Sequence, residues 1–185
     1  MRKFFTNAAI LTSAAILATS CSGGSGSGGG YKTGFGIVTH IGSSASATAE
    51  AAGKGQVDSY IAVITLDASG KITKCQLDVA QTAVNFDATG VVTSDLAEPV
   101  KSKLEKKDEY GMKQASAIGK EWYEQATALA EWCVGKTVDE VKGLKIKAVN
   151  EEHTTVPDIP ELTSSVTIAV GDWLLAVEKA AANAQ

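Results

Sequence analysis

Four hydroxyl side chains stand close together near the end of the chain, in Thr163-Ser164-Ser165-Val166-Thr167. They read as a turn, followed by a short apolar strand over 166–170 and an alanine-rich helix over 172–184. Hydroxyls, backbone N–H groups and the positive end of a helix are what a phosphate needs. Ser164, Ser165 and Thr167 are therefore candidate anion donors. Other chemistry is poorly served. Gly135-Lys136-Thr137 matches the end of a phosphate-binding P-loop, but that motif also needs a glycine five residues earlier and a preceding strand. Position 130 is Ala and the segment before Gly135 reads as helix, so these residues stop one helix and start another. The two histidines, His40 and His153, are far apart and lack Cys, Asp or Glu neighbours at metal-site spacing; both read as surface residues. No Gly-x-Ser-x-Gly or comparable pattern marks an activated nucleophile. The candidate set thus contains no catalytic and no metal-ligating residue.

The elements that must position these groups can be read in chain order. A β-prone run spans 34–41, with glycines that suggest a strand edge or close backbone approach. The Ala/Ser/Thr-rich stretch 42–55 is a loop or a weak helix. Tyr60 to Leu66 is apolar on both parities, which predicts a strand covered on both faces. Asp67-Ala68-Ser69-Gly70-Lys71 is a turn. A second strand over 72–80 sets Cys75, Leu77 and Val79 against Lys74, Gln76 and Asp78. A further short strand is expected at 84–87. Residues 94–107 are polar and charged, a solvated face. The central helix is expected over 116–134, with Ile118, Trp122, Ala126, Leu129 and Cys133 as its buried stripe. Thr137 and Glu140 have the spacing of a capping box, and 144–149 alternates like a strand. These elements predict an α+β fold: a small antiparallel sheet built on a central β-hairpin, packed by a central and a C-terminal helix.

The first thirty residues carry the address. Arg2 and Lys3 precede an apolar run from Phe4 to Ala18, the layout of a secretory signal. The run is too short and too rich in Ala, Ser and Thr for a good membrane span. Leu17-Ala18-Thr19-Ser20-Cys21 resembles the lipobox of bacterial lipoproteins. That resemblance implies a signal peptide over 1–20, acylation of Cys21, and export to the outer face of the bacterial cell membrane. Residues 22–30 are only Gly and Ser, a flexible tether reaching roughly 15–20 Å. The domain proper is then 31–185, long enough for a real core. Without Arg2 and Lys3, 15 basic residues face 21 acidic ones, a net charge of −6. Such a charge argues against nucleic acid as a partner. Cys75 and Cys133 both fall on apolar faces, so they form either a disulfide or two buried thiols.

The order of hairpin, aromatic-bearing helix, hydroxyl-rich turn and alanine-rich helix resembles the FMN-binding domain family. That family includes the flavin-carrying subunits of sodium-pumping and Rnf-type respiratory complexes and many bacterial surface lipoproteins. Its attachment motif is an Asp, a short spacer, then Ser-Gly-Ala-Thr, whose Thr a flavin transferase can join to FMN. Ser164 falls on the motif's Ser and Thr167 on its acceptor, with Asp158 as the upstream Asp at a longer spacing. Ser165 and Val166 replace the small Gly and Ala. Tyr110-Gly111-Met112 and Lys120 to Ala126 also look like a subgroup of lipoproteins from Gram-positive anaerobes. The resemblance implies FMN as cofactor, its ring against Tyr110, Met112, Trp122 and Tyr123. It implies an electron carrier that exchanges with a membrane redox complex or an extracellular acceptor. The alternative is a cofactor-free surface binding module of the same fold.

Overall fold

The computed structural model describes residues 30–151 and 153–185. The signal, Cys21 and all of the tether but Gly30 lie outside the described residues. Three long strands form an antiparallel meander: β1 (Lys32–His40), β2 (Gly53–Leu66) and β3 (Ile72–Phe86). The 67–71 turn behaves as its residues dictate. The Asp67 carboxylate accepts from Ser69 N, Ser69 Oγ and Lys71 N at 2.7–3.0 Å, and Gly70 takes φ 80°. The same construction recurs at Asp87, Thr89 and Gly90. In both turns hydrogen bonds to the carboxylate hold its pKa below the ordinary value, those of Ser69 and Thr89 first.

The short strand expected at 84–87 is the end of β3. Pairing continues unbroken from Tyr60–Val79 to Gly53–Phe86, because Gly53 to Gly55, read as part of a loop or weak helix, extend β2 and supply the partners.

The expected two-sided cover of the sheet is corrected. Ala62, Ile64, Leu77 and Val79 face the core, whereas Phe35 is 50% and Val63 38% exposed on the opposite face. A single helical layer covers one face, and the apolar residues of opposite parity remain at the surface.

That layer comprises α1 (Lys103–Lys106), α2 (Trp122–Cys133), α3 (Val138–Lys142), α4 (Pro160–Thr163) and α5 (Gly171–Ala182), with a 3-10 turn at Lys107–Tyr110. The fold is α+β, with central and C-terminal helices packed on the hairpin sheet. In α2, Trp122, Ala126, Leu129 and Cys133 are all buried, as their 3.6-residue spacing requires. The helix starts six residues later than its pattern suggests. Gly119 adopts φ 62°, and Glu121 takes the N-cap with Glu124 completing a capping box, so 116–119 are turns. Thr137 and Glu140 cap α3 as their spacing predicts. The 144–149 strand shortens to β4 (Ile146–Lys147), paired with β5 (Val156–Pro157). Residues 166–170 form no strand: Thr167 N bonds a side chain, and Val170 N bonds Thr155 O.

The β1 glycines do what strand glycines do under a close-packed helix. A Cβ on Gly36 would lie 1.9 Å from Ala176 O, and one on Gly34 1.8 Å from Ala180 O. The outer edge of β1 is closed by Lys179 Nζ donating to Ile37 O and Asn183 Nδ2 donating to Phe35 O, which protects it against further strand pairing. Gly36→Ala is expected to push α5 off the sheet at a cost of about 1–3 kcal/mol. Gly42→Ala, where a Cβ meets nothing, should stay within about 0.5 kcal/mol. Urea midpoints of the two variants check this, and equal midpoints would refute the close-approach argument.

Candidate functional site

A cavity of about 570 Å³ opens between the loop ahead of α2, the β4–β5 hairpin and the segment joining α4 to α5. The volume lies within the usual range for small-molecule sites. Its apolar walls come from Met112, Ala115 and Ala117 on one side, Val149, Val156 and Pro157 on another, and Val166 and Ile168 on a third. Polar groups from Ser116, Gln125, Lys147, Asn150, His153, Thr163 and Thr167 complete it.

Gln125 organises the wall. It projects from α2 between Trp122 and Leu129 and is 0% exposed. Its Oε1 accepts from Thr167 N at 2.8 Å and from Thr167 Oγ1 at 3.2 Å. Its Nε2 donates to Ser116 Oγ at 3.1 Å and Lys120 O at 3.3 Å. One side chain thereby ties α2 to both loops that frame the cavity. Glu121, also buried, fixes the 112–113 loop by accepting from Met112 N and Lys113 N at 2.9 and 3.0 Å. Neither residue was among the candidates. The available signal was a glutamine set within an otherwise apolar stripe, where a polar side chain must find partners.

The sequence candidates divide between the cavity and its surroundings. Met112 and Thr167 line it together, and Thr163 joins them. Ser164 is exposed at the C-cap of α4. Ser165 Oγ donates to Leu162 O and Thr163 Oγ1 to Ile159 O, the back-bonding typical of hydroxyls at helix ends. The hydroxyl turn therefore closes α4 and is separate from the start of α5. There Gly171 N donates to Thr155 Oγ1, and Asp172 already supplies an anion that pairs with His40 at 2.8 Å.

Trp122 is core: its ring lies 5.4 Å from that of Trp173 and 6.4 Å from that of Tyr110. Lys103 Nζ sits 4.8 Å over the Tyr110 ring. Tyr123 is half-buried beside Asp108, and its hydroxyl pKa is raised, by partial burial first and then by that carboxylate. These three aromatics are outside the cavity wall. Trp132 lies under Lys136 Nζ at 4.5 Å.

At the cavity rim, Lys147 pairs with Asp158 at 2.8 Å, both about half exposed. His153 lines the cavity, with Nδ1 3.0 Å from Asn150 Oδ1, whereas His40 is an exposed residue paired with Asp172 in the first turn of α5.

The lining fits a ligand with a broad apolar ring and an anionic group: six or more apolar side chains for the ring, and Lys147 and His153 at the rim for the anion. It fits a ligand held without a covalent bond better than one esterified to Thr167. The Thr167 hydroxyl already hydrogen-bonds Gln125, and Val166, where the attachment motif carries a small residue, is 0% exposed. Among the described residues no group of His, Cys, Asp and Glu could hold a metal ion, and no helix is long and apolar enough to cross a membrane. No protein-family model matches the chain, and comparisons with curated proteins and with solved structures likewise give no match.

Proposed function

We propose that this chain is an exported, lipid-anchored surface protein whose domain carries FMN non-covalently as an electron carrier. One observation supports the reading most: Met112 and Thr167, from two distant parts of the sequence, line one cavity of ligand size. Apolar walls suit an isoalloxazine ring, which needs a slot with few polar edges. Lys147 is the charged donor for a phosphate, since the hydroxyls of Thr163 and Thr167 already donate to Ile159 O and Gln125 Oε1. When bound, FMN supplies the redox chemistry. The chain's own part is to bind the ring, fix the phosphate and exclude water. Gln125 holds the Thr167 backbone, so the wall stays in place whether or not a ligand is present. The N-terminal charge pattern and Cys21 support a membrane anchor, with the Gly/Ser tract as spacer. The redox partner is then a membrane complex or an extracellular acceptor.

The test is a titration of the purified full chain with FMN, followed by flavin fluorescence and visible absorbance. FMN is expected to bind, with Lys147→Ala weakening it roughly tenfold through loss of a charge-assisted contact. Riboflavin, which lacks the phosphate, should not respond to that substitution. A protein that is colourless as purified and binds no added FMN would sink the flavin reading and favour a cofactor-free binding module. A mass gain of one FMN that disappears in Thr167→Ala would replace the non-covalent reading by covalent attachment.

A further inference from the structure

Two thiols meet where α2 ends on the sheet. Cys75 lies on the inner face of β3, opposite Ile64. It is partly buried and packed against the core. Cys133 is the last residue of α2 and 1% exposed. Both are free in this structure. Backbone hydrogen bonds hold the two segments together just beside the pair. Gly135 N donates to Ile72 O at 2.7 Å, and Ile72 N donates to Lys136 O at 2.8 Å. Thr137 continues the contact as a bridge partner of Lys71. The thiols themselves interact: the Cys75 side chain is the first cause that pushes the Cys133 thiol above its ordinary range, with burial second.

We propose that Cys75 and Cys133 are an oxidisable pair that closes a disulfide between β3 and the end of α2. Two cysteines on separate elements, held close by the adjoining backbone hydrogen bonds and with interacting side chains, are placed for a bridge. The loop closed would hold about 60 residues, long enough for a large effect on the unfolded chain.

The oxidant is a small disulfide such as oxidised glutathione. Exchange begins at the more accessible thiol. The Cys75 thiolate attacks one glutathione sulfur, the glutathione S–S bond breaks, and one glutathione leaves as a thiolate that takes up a proton. Cys75 then carries a mixed disulfide. Cys133 loses its proton, its thiolate attacks Cys75 Sγ, and the second glutathione leaves. The protein dithiol loses two electrons and two protons, and one glutathione disulfide becomes two thiols. Because Cys133 is buried and held protonated, the second step is the slow one.

The experiment uses the full chain with Cys21→Ser, so that only these two thiols remain. After incubation with oxidised glutathione, free thiols are titrated in denaturant and digested peptides are analysed by mass. Both thiols are expected to disappear, with a mixed disulfide on Cys75 as a transient and a Cys75–Cys133 peptide pair as the product. Tm should rise by roughly 10 °C and return with dithiothreitol. In Cys133→Ala, Cys75 should keep its glutathione and Tm should not rise. Cys75→Ser should leave Cys133 unmodified over the same time. Two thiols that stay titratable, glutathione on Cys75 that Cys133 never displaces, or covalent dimers in place of the internal link would each overturn the proposal.

Discussion

Trp173→Ala is expected to destabilise the domain by about 3–5 kcal/mol, the usual cost of deleting a buried aromatic side chain. Trp173 sits in the first turn of α5 and is 1% exposed. Its ring meets Tyr60 edge-on at 5.6 Å and Trp122 at 5.4 Å. Those two rings in turn contact His40 and Tyr110, so the indole is the centre of an aromatic chain linking β1, β2, α5, α2 and the 3-10 turn. Its Nε1 also donates to Asp78 O at 3.1 Å, which anchors α5 to the far strand. Alanine removes the ring contacts and the donor together. Trp173→Phe keeps most of the buried area but loses the hydrogen bond and leaves a small void, so about 1–3 kcal/mol should go. Urea unfolding of both variants separates the two contributions, and the alanine variant should melt roughly 10–15 °C lower. If alanine proved no worse than phenylalanine, ring packing would not be what holds α5 in place.

Gln125→Leu should have the next largest effect, and it reaches the candidate site as well as stability. Leucine fills most of the same volume, so the main loss is polar. Thr167 N and Lys120 O, both bonded by the Gln125 amide, are left without it. An unsatisfied buried group costs about 1–3 kcal/mol, so a total of roughly 2–4 kcal/mol is expected. Because Gln125 ties the 116–120 and 165–168 segments to α2, the cavity wall should loosen too. Amide hydrogen exchange at Thr167 should accelerate more than at core positions of β2. Gln125→Glu is a sharper probe. It keeps an acceptor for Thr167 but has no donor for Ser116 or Lys120 when ionised, and it buries a charge. A leucine variant with unchanged exchange at Thr167 would show that Gln125 does not hold that loop.

Much of the architecture was legible because local rules were locally satisfied. Asp67 and Gly70 make a turn whatever surrounds them. Thr137 and Glu140 cap a helix using atoms three residues apart. Trp122, Ala126, Leu129 and Cys133 can share a face only on a helix. Where the reading went astray, a distant partner had decided the outcome. The 116–119 segment has helical spacing, but Glu121 caps α2 and spends its carboxylate on the 112–113 amides. The 166–170 run alternates like a strand, yet its N–H groups find Gln125 and Thr155 instead of a neighbouring strand.

The sequence by itself determined the hairpin, the helix faces and the hydroxyl cluster, because each depends on residues a few positions apart. Only the tertiary structure decided that Met112 and Thr167 share a cavity that Tyr110 and Tyr123 do not line. It also decided that Thr167 bonds Gln125, and that the end of α2 docks beside the start of β3, bringing Cys133 to Cys75. Those outcomes turn on how the single helical layer docks on one face of the sheet. That docking depends on contacts between residues tens of positions apart, to which no local pattern gives access.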